Sequence, residues 1–276
     1  MDKSMKQLIS QYAIKAKKKF GQNFLLDQNI INKIVKESKI DNNSVVVEIG
    51  AGLGALTRVL AQKAKKVLAF EIDDDLVTIL PEILSDYSNV EIIHQDFLVT
   101  DLADILKDYL SQDLVVCANL PYYITTPILF KIFESEVLVD RIAVMMQKEV
   151  AERFVAAPKT KDYNALSVIS QYKYDISLIV KVPKQVFHPA PNVDSAVVLF
   201  KRKHLQKQLD ETSFFPFVKA CFKQRRKTIF NNLKEYLDKE LANKVLNASN
   251  IALSTRSEEL TLDDFQLLFE SYLNLV

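Results

Sequence analysis

Short runs of β-branched and aliphatic residues alternate, through the first half of the chain, with stretches whose apolar positions recur every three or four residues. Residues 45–49, 67–72, 90–94, 114–118 and 142–146 read as strands buried on both faces. Between them Ile30, Ile31, Ile34 and Val35, then Leu56, Val59, Leu60 and Ala64, fall on single helical faces, and 74–84 and 102–110 read as helices too. Strands alternating with helices, the strands almost continuously apolar, predict a parallel sheet covered on both sides. After residue 146 the rhythm changes. Residues 147–156 and 162–171 read as helices, followed by two longer strands at 172–182 and 195–203. Pro183, Pro189 and Pro191 predict that the link between those strands carries no regular structure. Farther on, Phe214, Phe217, Val218, Cys221 and Phe222, then Ile229, Leu233, Tyr236 and Leu237, form helical stripes with no further strand pattern. The chain thus divides into an α/β domain, 1–205, and a small helical domain, 206–276.

Composition narrows the class. An apolar fraction of 49% and a charged fraction of 26% are those of an ordinary globular protein. No window approaches the roughly 20 apolar residues of a membrane helix, so no membrane partner is expected. Residues 1–19 hold six lysines and no apolar core of a secretory signal. Cys117 and Cys221 lie too far apart in sequence for a CxxC site, which leaves no metal or redox motif and points to the cytoplasm. The formal net charge of +1 hides strong segregation. Residues 1–20 carry six lysines and one acid, 71–113 twelve acids and one lysine, and 201–234 ten Lys/Arg and two acids. Two basic blocks around an enzyme-like core favour an anionic macromolecule as partner.

Glycine is scarce. Only four occur, where average usage would give about nineteen, and Gly50, Gly52 and Gly54 fall within one loop that leaves a strand and opens a helix. Such a loop lets backbone approach a ligand at a helix N-terminus. Glu71, at the end of the next strand, is placed to accept ribose hydroxyls, with Ile72 beside it. That pattern fits a dinucleotide as well as any other adenosine-bearing cofactor. Asp96 and Phe97 follow the third strand, where a carboxylate and a ring can receive an adenine. After the fourth strand comes Asn119-Leu120-Pro121-Tyr122. Hydride transfer has no use for that tetrapeptide, whereas methyl transfer to a base amine does. An exocyclic amine is a poor nucleophile because its lone pair is delocalised into the ring. Acceptors on its two hydrogens, the Asn119 side-chain oxygen and the Leu120 carbonyl, would hold the nitrogen closer to tetrahedral, with Pro121 fixing the backbone and Tyr122 stacking on the base.

Several motifs occur together in one order: Gly21-Gln22-Asn23-Phe24-Leu25, the glycine loop, Glu71, Asp96, Asn119 to Tyr122, the run from Phe187 to Ser195, and Phe222-Lys223-Gln224-Arg225-Arg226-Lys227-Thr228. In this the chain closely resembles the bacterial small-subunit rRNA adenine dimethyltransferases of the KsgA type, from about Lys17 to the C-terminal helices. The resemblance implies a class I, Rossmann-like methyltransferase fold: a seven-stranded, mainly parallel sheet with one antiparallel strand and a small C-terminal helical domain. It implies S-adenosyl-L-methionine as cofactor, held by Gln22, Asn23, Leu25, Gly50, Gly52, Glu71, Ile72, Asp96, Phe97 and Asn119. It implies that Phe187 closes over the target base opposite Tyr122, and that Lys17, Lys18, Lys19, Lys223, Arg225, Arg226 and Lys227 bind RNA. The implied substrate is a pair of adjacent adenosines near the 3′ end of small-subunit rRNA, each dimethylated, in free rRNA or an assembling particle, by a monomer. Ala51 stands where many members have proline, and Phe230 where relatives often carry a basic residue.

Three other readings compete. A large-subunit rRNA methyltransferase of the macrolide-resistance type shares the cofactor motifs but usually reads Asn-Ile-Pro-Tyr and lacks the Arg-Arg-Lys helix. A fold-sharing assembly or transcription factor has no need of an intact Glu71, Asp96 and Asn119–Tyr122 set. A nicotinamide oxidoreductase explains neither the tetrapeptide nor the basic blocks.

Overall fold

A computed structural model describes residues 5–204 and 208–276, except for the side chain of Lys18. In chain order the first half runs α1 (Met5–Gln11), β1 (Phe24–Leu25), α2 (Gln28–Glu37), β2 (Ser44–Ile49), α3 (Ala55–Ala61), β3 (Lys66–Glu71), α4 (Asp74–Ile83), β4 (Val90–His94), α5 (Leu102–Leu106), β5 (Asp113–Asn119), α6 (Thr125–Phe133) and β6 (Arg141–Gln147). The second half runs α7 (Lys148–Phe154), α8 (Ala165–Lys173), β7 (Tyr174–Val182), β8 (Phe187–His188), β9 (Ser195–Arg202), α9 (Glu211–Cys221), α10 (Ile229–Leu233), α11 (Lys239–Ala248) and α12 (Leu262–Leu273).

Seven strands form one sheet in the order β4-β3-β2-β5-β6-β9-β7. The pairs β2–β3, β2–β5, β3–β4 and β5–β6 are parallel, and β9 runs antiparallel to β6 with Ser195 opposite Gln147. Every residue of β2 is buried, as the continuous apolar run predicts for a central strand covered on both faces. The chain reverses its direction of travel across the sheet between β2 and β5. The carboxyl ends of those strands therefore form the crevice in which open α/β sheets bind ligands.

β4, expected to be buried on both faces, is instead the edge strand, with none of its residues fully buried, and three further features depart from the sequence expectation. First, α6 was not legible: Thr-Thr-Pro-Ile-Leu-Phe-Lys-Ile-Phe is nearly all apolar, and Pro127 sits in the first turn, where a missing N–H breaks no intrahelical bond. Second, the proline-rich link is not wholly irregular. A 3-10 turn, Lys184–Val186, and the two-residue β8 form between its prolines. β8 pairs antiparallel with β1, Leu25 opposite Phe187 and Phe24 opposite His188. Third, the division is not a single cut near 205. One compact unit comprises 1–151 and 177–202, and the other 152–176 and 203–276. The segment before β7 joins the helical unit because Tyr172 of α8 is buried against Phe214 and Phe215 of α9, with ring centroids 5.2 and 6.2 Å apart, and its hydroxyl accepts from the Leu209 N–H at 2.8 Å. No helix among the described residues is long and apolar enough to cross a membrane.

Candidate active site

The turn from β2 into α3 is built on left-handed backbone. Gly50 has φ +78° and Gly52 φ +60°, which L side chains rarely adopt. A Cβ on Gly50 would meet nothing nearer than the Asn119 carbonyl at 3.9 Å, so backbone conformation, not crowding, demands glycine there. The Gly52 N–H donates to Glu71 Oε2 at 2.8 Å, and Glu71 Oε1 accepts from the Ile72 and Asp73 N–H groups at 2.8 and 2.9 Å. Three of about four acceptor positions on the carboxylate are thus taken by backbone, leaving one for a ligand hydroxyl rather than the two that its place on β3 suggests. Burial raises the pKa of Glu71, and these three N–H donors oppose that shift.

Glu48, one residue before the end of β2, has no role in the sequence reading. It is buried among the cavity walls, and its Oε2 has no hydrogen-bond partner. Burial pushes its carboxyl up to about 8, contact with Thr57 opposes this and the Glu71 charge adds to it, so the group is neutral at pH 7.

At the end of β4, Asp96 caps the 3-10 turn Phe97–Val99 through Oδ1, which accepts from the Leu98 N–H at 2.9 Å. Oδ2 is the oxygen left for a purine amine. Phe97 is buried edge-on to Phe70, centroids 5.4 Å apart, and Ile72 is 43% exposed.

Asn119 ends β5. Its Nδ2 donates to the Asn23 carbonyl at 3.2 Å, which commits the amide nitrogen and leaves Oδ1 as the acceptor. The carbonyl of Pro121 accepts from the Ile124 N–H and the Thr125 hydroxyl, both at 3.2 Å, which locks the turn after the buried Leu120. Tyr122 shares a 2.8 Å hydrogen bond with Ser195 Oγ at the start of β9, and burial raises the pKa of its phenol. Phe187 is only 5% exposed and packed in the core around Leu25. It forms part of the cavity wall.

The N-terminal segment is tied down by a residue the sequence reading overlooked. Asp73 is buried, caps α4, and accepts from Lys17 Nζ and from Gln22 Nε2 at 2.7 Å. Burial alone would raise its pKa; the donors Lys17, Gln22 and the Asp75 N–H outweigh burial and hold it below the usual carboxylate value. Gln22 Oε1 in turn accepts from the Lys17 N–H at 2.8 Å. Gln22 lines the cavity with both ends of its amide engaged, and Lys17 is paired with Asp73 and with Asp75 at 2.7 Å. Lys17, expected on RNA, is thus ion-paired within the protein while its side chain remains 30% exposed. Only the run of acids from Asp73 to Asp75, read merely as charge, hinted at this. Lys19 is exposed, its ammonium 4.5 Å from the centre of the Phe20 ring. The side chain of Lys18 lies outside the described residues.

One cavity of about 400 Å³ gathers all the residues expected to hold cofactor or target base, from Gln22 to Phe187. Phe20, Gly21, Phe24, Glu48 and Tyr123 line it as well. No cluster of metal-ligating side chains occurs among the described residues.

In the helical unit the basic run does not form a helix. Residues 222–228 make a loop between α9 and α10. The buried Asn232 holds it, donating to the Cys221 carbonyl at 2.7 Å and the Gln224 carbonyl at 3.3 Å and accepting from the Gln224 N–H at 3.0 Å. Consecutive charges without an apolar stripe, ended by the helix cap Thr228, were the available signal. Lys223 pairs with Glu235 at 3.0 Å and Arg225 donates to the Lys161 carbonyl, while Arg226 and Lys227 are exposed.

Residues 13–274 match the family model described as ribosomal RNA adenine dimethylase. Ribosomal RNA small subunit methyltransferase A of Bacillus mycoides (strain KBAB4) is 47% identical over 95% of this chain and 93% of its own. The protein of the same name from Bacillus anthracis (strain A0248) is 46% identical over the same shares. Among solved structures, a dimethyladenosine transferase from Plasmodium falciparum superposes with a TM-score of 0.80 at 26% identity, covering 91% of this chain and 98% of its own. The 23S rRNA methyltransferase ErmE gives a TM-score of 0.69 at 26% identity, covering 90% and 99%.

Proposed function

The chain belongs to the ribosomal RNA adenine dimethylase family, and from that premise we propose that it methylates the N6 amines of two adjacent adenosines near the 3′ end of small-subunit rRNA, in successive rounds. It is an S-adenosylmethionine-dependent rRNA methyltransferase with the class I fold. The observation that carries the site assignment is the amide of Asn119, committed by the Asn23 carbonyl so that its oxygen is the acceptor in a cavity shared with the glycine loop.

The residues present fit the cofactor. Glu48 offers an unpartnered buried carboxyl oxygen suited to an amino acid's ammonium, the glycine turn leaves open space at Gly50, and Asp96 Oδ2 suits an adenine amine. Glu71 would hold a ribose hydroxyl, with Ile72 and Phe97 packing along the base. When bound, S-adenosylmethionine supplies an electrophilic methyl carbon on a sulfonium. Every other part of the chemistry is positioning by the chain itself. Asn119 Oδ1 and the Leu120 carbonyl accept from the target amine and hold it near tetrahedral. Tyr122, oriented by Ser195, presents its ring to one face of the purine, and Phe187 forms the other wall. Aromatic stacking at about 1–3 kcal/mol per base offsets the few kcal/mol needed to extrude an adenosine from its stack. No general base is required, because the methylated amine is a strong acid that yields its proton to water.

The substrate is small-subunit rRNA, free or in an assembling particle, a reading supported by the exposed Arg226, Lys227 and Lys19. The working form in this reading is a monomer. The test is methyl transfer into small subunits isolated without the modification, with large subunits as control and primer extension to map the product. Label at two adjacent adenosines of the small subunit is expected; label confined to large subunits would overturn the assignment. Comparing protein-free rRNA with particles identifies the form acted on.

A further inference from the structure

We propose that Tyr123, with Phe20 and Lys19, forms a second nucleotide site at the mouth of the cavity, which stacks the base next to the extruded adenosine and contacts its phosphate. The proposal rests on the function given above and adds a subsite to it. Tyr123 is 61% exposed, more than any other aromatic side chain among the described residues, yet it also lines the cavity. Its ring is held in place. The hydroxyl donates to the Lys19 carbonyl at 3.4 Å, and the ring lies so close to Gly21 that a Cβ there would sit 3.2 Å from Tyr123 Cε1 and 3.3 Å from Pro121 Cβ. Gly21 also has φ +59°, so the ring is braced by bare, left-handed backbone. A large ring that is fixed but left in water is costly unless something covers it.

Beside it, the Lys19 ammonium sits over the Phe20 ring, and both residues line the same opening. Tyr122 and Tyr123 are consecutive, but one is tied inward to Ser195 and the other stands at the surface. Extruding one adenosine strips its neighbour of a stacking partner and leaves that neighbour's face to water. An aromatic ring at the cavity mouth replaces the lost partner, and it does so for any base because every base has a π-face. The adjacent cation supplies the phosphate contact that fixes register. The occupant is thus the single-stranded nucleotide flanking the target.

The experiment uses the full chain and a synthetic hairpin RNA with two adjacent adenosines in its loop, read by fluorescence anisotropy at fixed salt, together with steady-state methylation of small subunits. Tyr123→Ala should raise the RNA Kd, and the KM for subunits, by about 5- to 150-fold, the equivalent of the stacking free energy per base. The kcat and the affinity for S-adenosylmethionine should stay near wild type, and Tyr123→Phe should retain most RNA affinity. An RNA lacking the flanking base should weaken binding to the wild type by a similar factor and weaken Tyr123→Ala little further. Wild-type affinity in Tyr123→Ala, or losses from the variant and the abasic RNA that multiply, would overturn the platform. Lys19→Gln should lower the log–log salt slope by about 0.7. Thermal melting of each variant separates misfolding from lost contact. If the wild type fails to methylate small subunits, or Asn119→Ala keeps near-normal turnover, the parent reading fails instead.

Discussion

Two residues in the cavity are defined by what they do not bond. Asn119 donates an amide N–H to the Asn23 carbonyl, which orients its side chain and leaves its oxygen free to accept from a substrate. Asn119→Ala should abolish methyl transfer while S-adenosylmethionine affinity, measured by calorimetry, falls only modestly; near-normal turnover would remove Asn119 from the chemistry. Glu48 has a buried, unpartnered oxygen and a carboxyl raised to about 8, against an ordinary value near 4.5. Between those values the unfolded chain releases a proton that the folded chain keeps. Its contribution is therefore fully present below about pH 4.5, declines as the pH rises, and levels off above about 8. The cost at pH 8 is a few kcal/mol, at roughly 1.4 kcal/mol per unit. Glu48→Gln, neutral at every pH, should melt at a higher temperature than wild type at pH 8 in the absence of cofactor and match it near pH 4.5. Its affinity for S-adenosylmethionine should fall. Parallel melting curves across that range would show that Glu48 ionises normally.

The elements that present functional groups are short and are held in part by buried polar side chains. The loop 222–228 is anchored by Asn232, which is 2% exposed and makes three hydrogen bonds to backbone. Asn232→Ala should cost roughly 1–3 kcal/mol, as unsatisfied buried groups do, read in urea titration. Of the four basic residues in that loop, Lys223 and Arg225 have partners within the helical unit, whereas Arg226 and Lys227 are exposed. Replacing Arg226 and Lys227 by Gln should flatten the salt dependence of RNA binding by roughly 1.4–1.8 in log–log slope, at about 0.7–0.9 per phosphate. An unchanged slope would make this loop a solvated surface. The N-terminal segment hangs in the same way on Asp73. Asp73→Asn removes the charge that Lys17 pairs with but keeps one acceptor oxygen. Weakened cofactor binding with transfer retained at saturation is the expected outcome.

Across the whole molecule the cofactor cavity and the basic loop fall in different compact units. The walls of the cavity all come from 1–151 and 177–202, and the basic loop comes from 203–276. Glu71→Ala should therefore weaken cofactor binding and leave RNA affinity nearly unchanged, and the Arg226 and Lys227 replacements should do the reverse. Equal loss of both affinities in either variant would contradict this separation. Glu71 also holds the Gly52 turn through its Oε2, so part of its effect on the cofactor is exerted through that turn.

The succession of strands and helices, the glycine turn, and the motifs that carry Glu71, Asp96 and Asn119 to Tyr122 were legible in the sequence, because each depends on neighbours within a few positions along the chain. Short β-branched runs bounded by turns read as strands, clustered glycines mark a tight turn, and a strand end followed by a short polar motif needs no distant partner to be noticed. What only the tertiary structure decided are pairings between distant positions. Lys17 and Gln22 meet Asp73, Tyr122 meets Ser195, and the ring of Tyr123 rests on Gly21. In the helical unit Tyr172 meets Phe214. These pairings give a lysine expected on RNA an intramolecular ion pair, and make a helix before β7 part of the helical unit. Local propensity cannot encode them, because the free energy of such a contact exists only once folding has closed the intervening loop.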